Sequence, residues 1–325
     1  MRTYNVVDKT YVKSNNSTNK IISRYTYSLL AFIILSSIIN LFLGNKDIII
    51  LLIKTIIISL VISSIIAYII NIIKKKYNFI KIYTEDNTIF ISLVISLFGY
   101  NSNIYILLIS IFISFIIKNI YKEINNSCVI YGIILLIISN YFNNINDLFN
   151  MTNNYNVPYT TLKDIGIINY LFNIKYLVPA LSILSFIYLF YKKGIKYSLL
   201  FSYIGLFIFM MLLIGMLNGK IYLVLFELLT SNILFIGVYL LSDYKISPTI
   251  DRGGTIYGII LGYLTVILRF IIPQLAILLP IALSTFIINK PLDKISYKFK
   301  YNEKLYYLTL TISLVIVLIT CIIIW

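Results

Sequence analysis

The sequence contains no histidine and only two cysteines among its 325 residues. The absence of histidine excludes a bis-histidine haem, a zinc catalyst of the usual kind and a Ser-His triad. Cys128 and Cys321 lie far apart in apolar runs and form no CxxC motif, so neither a disulfide framework nor a cysteine metal site is predicted. We therefore assign no catalytic residues and no metal ligands from the sequence.

Charged residues are also scarce. They make up 12% of the chain, whereas hydrophobic residues make up 60% and the mean hydropathy is +0.92. A soluble protein carries about twice that share of charge. Such a chain has more apolar surface than a water-facing fold can bury, so lipid must be the solvent for most of it. We predict an all-α polytopic membrane protein with about ten or eleven transmembrane helices.

The order of apolar runs predicts two five-helix bundles and a terminal helix, a layout typical of proteins that move ions or solutes. The basic start has no cleavable signal pattern, so we expect the first run to stay as an anchor. The segments are a cytoplasmic N-terminal segment (1–25), a first bundle (26–143), an external loop (144–175), a second bundle (176–290), and a basic cytoplasmic turn with the last helix (291–325). The runs are 26–43, 55–73, 88–101, 104–120, 128–143, 176–191, 196–216, 221–241, 255–270, 272–290 and 305–325.

The distribution of the basic residues predicts the orientation. The net charge is +15, and with the N-terminus inside, 21 of the 27 lysines and arginines fall in cytoplasmic segments. This asymmetry follows the positive-inside rule, which explains the basic balance better than a nucleic-acid partner does. We predict a multi-pass protein of the cytoplasmic membrane with its N-terminus inside and no nucleic-acid partner. The six external basic residues are Lys46, Lys54, Lys163, Lys175, Lys220 and Arg269.

Glu227 is an ionisable residue inside the eighth apolar run, with Thr230 and Ser231 at helical spacing and Asn232 beside them. A charged group in hydrocarbon costs about 2.5–3.5 kcal/mol or more, so it needs a partner or a cavity. These four residues are therefore candidates for an ion or proton path, or for the wall of a cofactor site. The alternative is a protonated glutamate that bonds a neighbouring helix.

Gly254, Gly258 and Gly262 recur every four residues in the ninth run, a spacing that lets two helix backbones approach closely. We predict a packing surface there. Lys54 and Arg269 lie near the predicted outer ends of their spans, where long side chains can reach the interface.

One segment carries a resemblance to a known family. Residues 247–270 contain Ser247-Pro248, Arg252-Gly253 and Tyr257-Gly258, followed further on by Asn289, Pro291, Leu292 and Asp293, and Asp86 opens the third run. This pattern resembles the RnfD protein of the Rnf electron-transport complex and its relative NqrB of the sodium-pumping NADH:quinone oxidoreductase. The specific part covers about 50 residues, with weaker similarity over most of the chain.

The resemblance implies a flavin-bearing membrane component of an ion-translocating (Na+ or H+) complex. It implies FMN attached to Thr160, followed by Thr161, in the external loop, and a second flavin. It also implies cofactor contacts at Asp86, Ser247, Arg252 and Gly253. The implied partners are other membrane subunits and iron–sulfur and flavin subunits.

Two other functions remain open from the residues alone. The five-plus-five layout and the polar cluster at Glu227 are also compatible with a stand-alone secondary transporter. The loop around Thr160 has Asn154, Val157 and Tyr159 where the family has aspartate, serine and alanine, which allows a scaffold subunit without cofactor.

Overall fold

The computed structural model describes twelve helices, and no strand occurs among the residues that it describes. Those residues are 18–44, 46–73, 88–99, 102–120, 128–142, 174–192, 194–217, 219, 221, 223–230, 233–242, 248, 250–271, 275–287, 292, 295 and 303–324. The helices are α1 (Thr18–Phe42), α2 (Lys46–Ile73), α3 (Thr88–Phe98), α4 (Ile104–Ile120), α5 (Cys128–Phe142), α6 (Ile174–Tyr191), α7 (Tyr197–Leu217), α8 (Leu223–Thr230), α9 (Ile233–Ile236, continued by π-helical Gly237–Leu241), α10 (Asp251–Ile271), α11 (Leu278–Ile287) and α12 (Glu303–Ile324).

The fold class predicted from composition is confirmed. Within the described part of the chain, three segments are long and apolar enough to cross a membrane: Lys20–Phe42 of α1, Ile49–Ile73 of α2 and Tyr197–Leu217 of α7. Shorter apolar helices include α3 and α4. Each predicted run contains a helix, and the eighth run contains two, α8 and α9. The protein is an all-α polytopic membrane protein.

The predicted glycine packing surface is confirmed by the contact between α7 and α10. A Cβ atom added to Gly258 would lie 2.0 Å from Ser202 Oγ and 2.6 Å from the carbonyl oxygen of Leu199. One added to Gly262 would lie 2.9 Å from the carbonyl oxygen of Tyr203. Only glycine lets the two backbones come this close, so these positions fix how α10 sits on α7.

Aromatic side chains fill the core where α1, α3 and α9 meet. The rings of Phe235 and Tyr239 are 4.8 Å apart, and Phe235 also packs edge-on against Phe32 and Phe98. The hydroxyl of Tyr239 donates to Ser185 Oγ on α6 at 2.8 Å, so its polar end is satisfied inside the core.

Hydrogen bonds join several helix ends on one side of the molecule. The Tyr25 hydroxyl, near the start of α1, lies 2.8 Å from Ser242 Oγ after α9 and 3.1 Å from the Gly194 carbonyl oxygen before α7. Lys196 Nζ donates to the carbonyl oxygen of Pro248 at 2.9 Å. All these residues belong to ends that the basic-residue count assigns to the same side of the membrane.

Candidate functional site

A buried ion pair joins α8 to α10. Arg269 Nε donates to Glu227 Oε2 at 2.8 Å, and the two side chains are 16% and 2% exposed. Glu227 lies within α8, and Arg269 lies in the last turn of α10. The two residues are separated by 42 positions in the chain, so this contact exists only in the folded protein.

The pair accounts for a carboxylate in an apolar segment. An unpaired charge in hydrocarbon is costly, and pairing with an arginine gives a net charge of zero at the site. The arrangement is nonetheless sensitive, because removing one partner of a buried pair leaves the other charge without compensation. The hydrogen bond from Arg269 therefore holds the carboxyl group of Glu227 between two helices.

The glycine surface of α10 positions Arg269. Arg269 follows Gly262 by seven residues, which is about two helical turns and returns to nearly the same face. Because α10 is fixed against α7 at Gly258 and Gly262, the end of the helix that carries Arg269 has a defined place beside α8. The close backbone packing and the ion pair thus belong to one arrangement.

The predicted polar cluster is described in part. Thr230 is the last residue of α8, and α9 begins at Ile233. Ser231 and Asn232 come between these two helices in the chain and lie outside the described residues. Glu227 and Thr230 therefore keep their three-residue spacing within one helix, α8.

A second ion pair lies at the other end of α10. Arg252, in the first turn of α10, donates through Nη2 to Glu303 Oε1 on α12, and its guanidinium lies 5.6 Å from the centre of the Tyr306 ring. Thr255 Oγ1 lies 3.0 Å from the Tyr306 hydroxyl. Arg252, which the family resemblance assigns to a cofactor, is thus engaged with α12, and its neighbour Gly253 is buried.

Within the described part of the chain, the ion-path candidates and the cofactor candidates do not come together. Arg252 and Arg269 are 17 positions apart on one helix, a separation of about 25 Å along its axis. The ion-path candidate Glu227 lies at one end of α10, and the cofactor candidates Arg252 and Gly253 lie at the other. The other predicted cofactor residues, Thr160, Thr161, Asp86 and Ser247, lie outside the described residues.

Sequence reasoning missed the partner of Glu227. The position of Arg269 near the end of its span predicts a side chain that extends toward the membrane interface, but the guanidinium turns to the buried carboxylate instead. The sequence does contain a signal for this pairing, because Glu227 and Arg269 are opposite charges in two spans of the second bundle. Opposite charges in apolar helices attract strongly, because water is scarce there.

The fold places the chain among all-α polytopic membrane proteins, a class in which a buried ion pair between helices marks a candidate functional site. Comparison with known families narrows this class, because the profile described as the NQR2, RnfD, RnfE family matches residues 5–289. The chain belongs to this family, which confirms the resemblance read from residues 247–270. Membership implies a membrane component of an Rnf- or NQR-type electron-transport complex. No curated protein shows significant similarity to the chain.

Proposed function

We propose that this chain is a membrane component of an Rnf-type complex that couples electron transfer to Na+ or H+ translocation, with Glu227 as the ion-linked residue. The observation that carries the proposal is the buried Glu227–Arg269 pair. Two helices of a redox-complex component retain opposite charges in an apolar region, where a pair of hydrophobic residues would serve packing equally well.

Arg269 gives the ion-linked role a definite form. The guanidinium occupies the position that a cation would take at Glu227 Oε2. A translocated cation that binds Glu227 Oε2 would have to displace Arg269, so in this role the pair opens and closes during turnover. A glutamine at position 227 could still accept a hydrogen bond from Arg269, but it could not exchange one cation for another.

Thr160 is the residue to which we propose that FMN is attached. A bound flavin would supply the one-electron chemistry of the complex. The described residues of the family pattern do not form a cradle for it, because Arg252 pairs with Glu303 and Gly258 packs on α7. Arg252 and Gly258 therefore have no assigned part in electron transfer. The support for covalent FMN at Thr160 is the family resemblance.

We also propose partner subunits and a membrane location for this protein. Family membership favours a multi-subunit complex, with further membrane, iron–sulfur and flavin subunits, over a stand-alone transporter. We propose the cytoplasmic membrane with the N-terminus inside, because the helix ends joined through Tyr25, Ser242 and Gly194 belong to the side that carries the excess of lysine and arginine.

The test compares two glutamate variants in the assembled complex. Glu227→Gln should lower ion transport into vesicles strongly while complex assembly, measured by co-purification of the subunits, stays close to the wild type. Glu303→Gln removes a carboxylate that also pairs with an arginine on α10 but is exposed, so it should leave both quantities nearly unchanged. Equal loss of transport and assembly in Glu227→Gln would contradict an ion-linked role.

The flavin is tested separately on the full chain. We expect a band that fluoresces under ultraviolet light on a denaturing gel, together with an intact mass increased by one FMN phosphoester. Both should disappear in Thr160→Ala, whereas Thr161→Ala should keep them. An unmodified wild-type chain would refute covalent FMN and would leave the role of Glu227 to be decided by the transport measurement.

A further inference from the structure

A groove with a volume of about 310 Å³ lies on the surface of the molecule between α1 and α6. Exposed apolar side chains form its sides, including Tyr27 and Leu35 of α1 and Leu184 of α6. Tyr27 and Leu35 are eight positions apart, so the lined part of α1 is about 12 Å long. A groove of this length and apolar character fits part of an acyl chain.

The two helices run antiparallel, which gives the groove two different ends. Arg24, near the start of α1, donates through Nη1 to the carbonyl oxygen of Lys192, just after the end of α6. The groove therefore begins beside Arg24 and Lys192, passes between Tyr27 and Tyr188, and continues toward Leu35 on α1.

Basic residues extend both walls of the groove at that end. On α1, Lys20 and Arg24 precede Tyr27 and Ala31 at spacings of seven residues, so they continue the stripe that lines the groove. On α6, Lys192 follows Tyr188 by four residues and continues the opposite wall.

The charge at this end is positive. Lys20 and Lys192 are exposed, and the Lys192 ammonium lies 5.6 Å from the centre of the Tyr191 ring. Lys193 follows Lys192 in the sequence. Basic residues at a membrane surface attract anionic headgroups.

We propose that this groove is a binding site for an anionic phospholipid, whose acyl chain lies between α1 and α6 and whose phosphate lies beside Lys20, Arg24 and Lys192. The apolar walls of the groove would hold the acyl chain of the lipid, and the basic end would favour an anionic headgroup. Tyr27 and Tyr188 lie between the two regions, as aromatic residues do at the boundary between hydrocarbon and headgroups. A neutral lipid or a neutral quinone would fill the groove without using the charges.

The headgroup preference is tested with the full-length chain in phosphatidylcholine nanodiscs. Spin-labelled phosphatidylglycerol and phosphatidylcholine are compared for association with the protein. We expect the wild type to prefer phosphatidylglycerol, and each of Lys20→Gln and Lys192→Gln to reduce that preference about fivefold. The control is the double variant Lys46→Gln with Lys54→Gln, which removes two exposed lysines of α2 that follow the end of α1 opposite to Lys20. The proposal would be overturned if the control variant lost the preference for phosphatidylglycerol. It would also be overturned if Lys20→Gln and Lys192→Gln both kept that preference.

The acyl-chain part is tested by filling the groove. Ala31→Trp should remove the slowly exchanging lipid signal, whereas Leu30→Trp, on the same helix but outside the groove lining, should retain it. An unchanged lipid signal in Ala31→Trp would contradict the placement of the acyl chain in the groove.

The identity of the occupant is tested in cell membranes with a photo-crosslinking amino acid at Leu184. We expect an adduct whose mass corresponds to an anionic phospholipid. An adduct with an isoprenoid quinone, with a zwitterionic phospholipid or with another polypeptide would overturn the assignment.

Discussion

The two ion pairs of α10 use the same two residue types in different surroundings. At the start of the helix, Arg252 pairs with Glu303, and the side chains are 34% and 67% exposed. At its end, Arg269 pairs with Glu227, and the side chains are 16% and 2% exposed. Each pair joins α10 to another helix, so the comparison isolates the effect of burial.

Burial changes what each pair does. An exposed pair gains little, because water and salt screen the charges and two long side chains lose freedom. A buried pair has lost its hydration and depends on its partner for compensation. The pair at Arg252 therefore acts as a weak contact between α10 and α12, while the pair at Arg269 holds opposite charges inside the protein, where we propose an ion-linked role.

The largest effect should come from breaking the buried pair on one side only. Arg269→Met removes the arginine that pairs with Glu227 and should lower the free energy of unfolding by about 3–5 kcal/mol, measured by denaturant titration in mixed micelles. Adding Glu227→Leu should restore most of this stability, because an apolar pair of similar volume replaces buried pairs at little or no cost. A double variant as unstable as the single one would contradict the account of the pair.

Disturbing the contact that positions α10 should have an intermediate effect. Gly258→Ala places a Cβ 2.6 Å from the Leu199 carbonyl oxygen and should destabilise by about 1–3 kcal/mol, because a backbone atom cannot move aside as a side chain can. Gly205→Ala on α7 is the matched control, since no atom beyond its chain neighbours and its own helix backbone lies within 4 Å of an added Cβ there. It should be neutral or stabilise the helix by up to about 1 kcal/mol. Equal effects at both positions would argue against close packing at Gly258.

The smallest effect should come from the exposed pair. Glu303→Gln should change the free energy of unfolding by less than about 1 kcal/mol, and this small change should shrink further at high salt. The same denaturant titration, run at low and high ionic strength, measures both quantities. A loss as large as that of Arg269→Met would mean that burial does not explain the difference between the pairs.

Much of the fold follows from composition and spacing. Apolar runs predict where the helices lie, since a chain in lipid must satisfy its backbone hydrogen bonds within each span. The four-residue spacing of Gly254, Gly258 and Gly262 predicts a packing surface that the contact with α7 confirms. These features are local, so the sequence contains them directly.

The site was harder to predict because it depends on contacts between distant segments. Hydropathy identifies Glu227 as unusual, but nothing in its own helix indicates that Arg269, 42 positions later, is its partner. The assignment of Arg252 to a cofactor comes from a motif, and a motif does not reveal that Glu303 pairs with this arginine. In both cases the missing information is the packing of one helix against another.

The most direct test of an ion-linked role is ion transport by the complex that contains the double variant Glu227→Leu with Arg269→Met. This variant replaces the pair by hydrophobic residues, so it separates the contribution of the charges to stability from their contribution to transport. We predict that the complex assembles and that its ion transport falls to the background measured without substrate. Transport at the wild-type level in a fully assembled complex would contradict the account, because the buried charges would then serve packing alone.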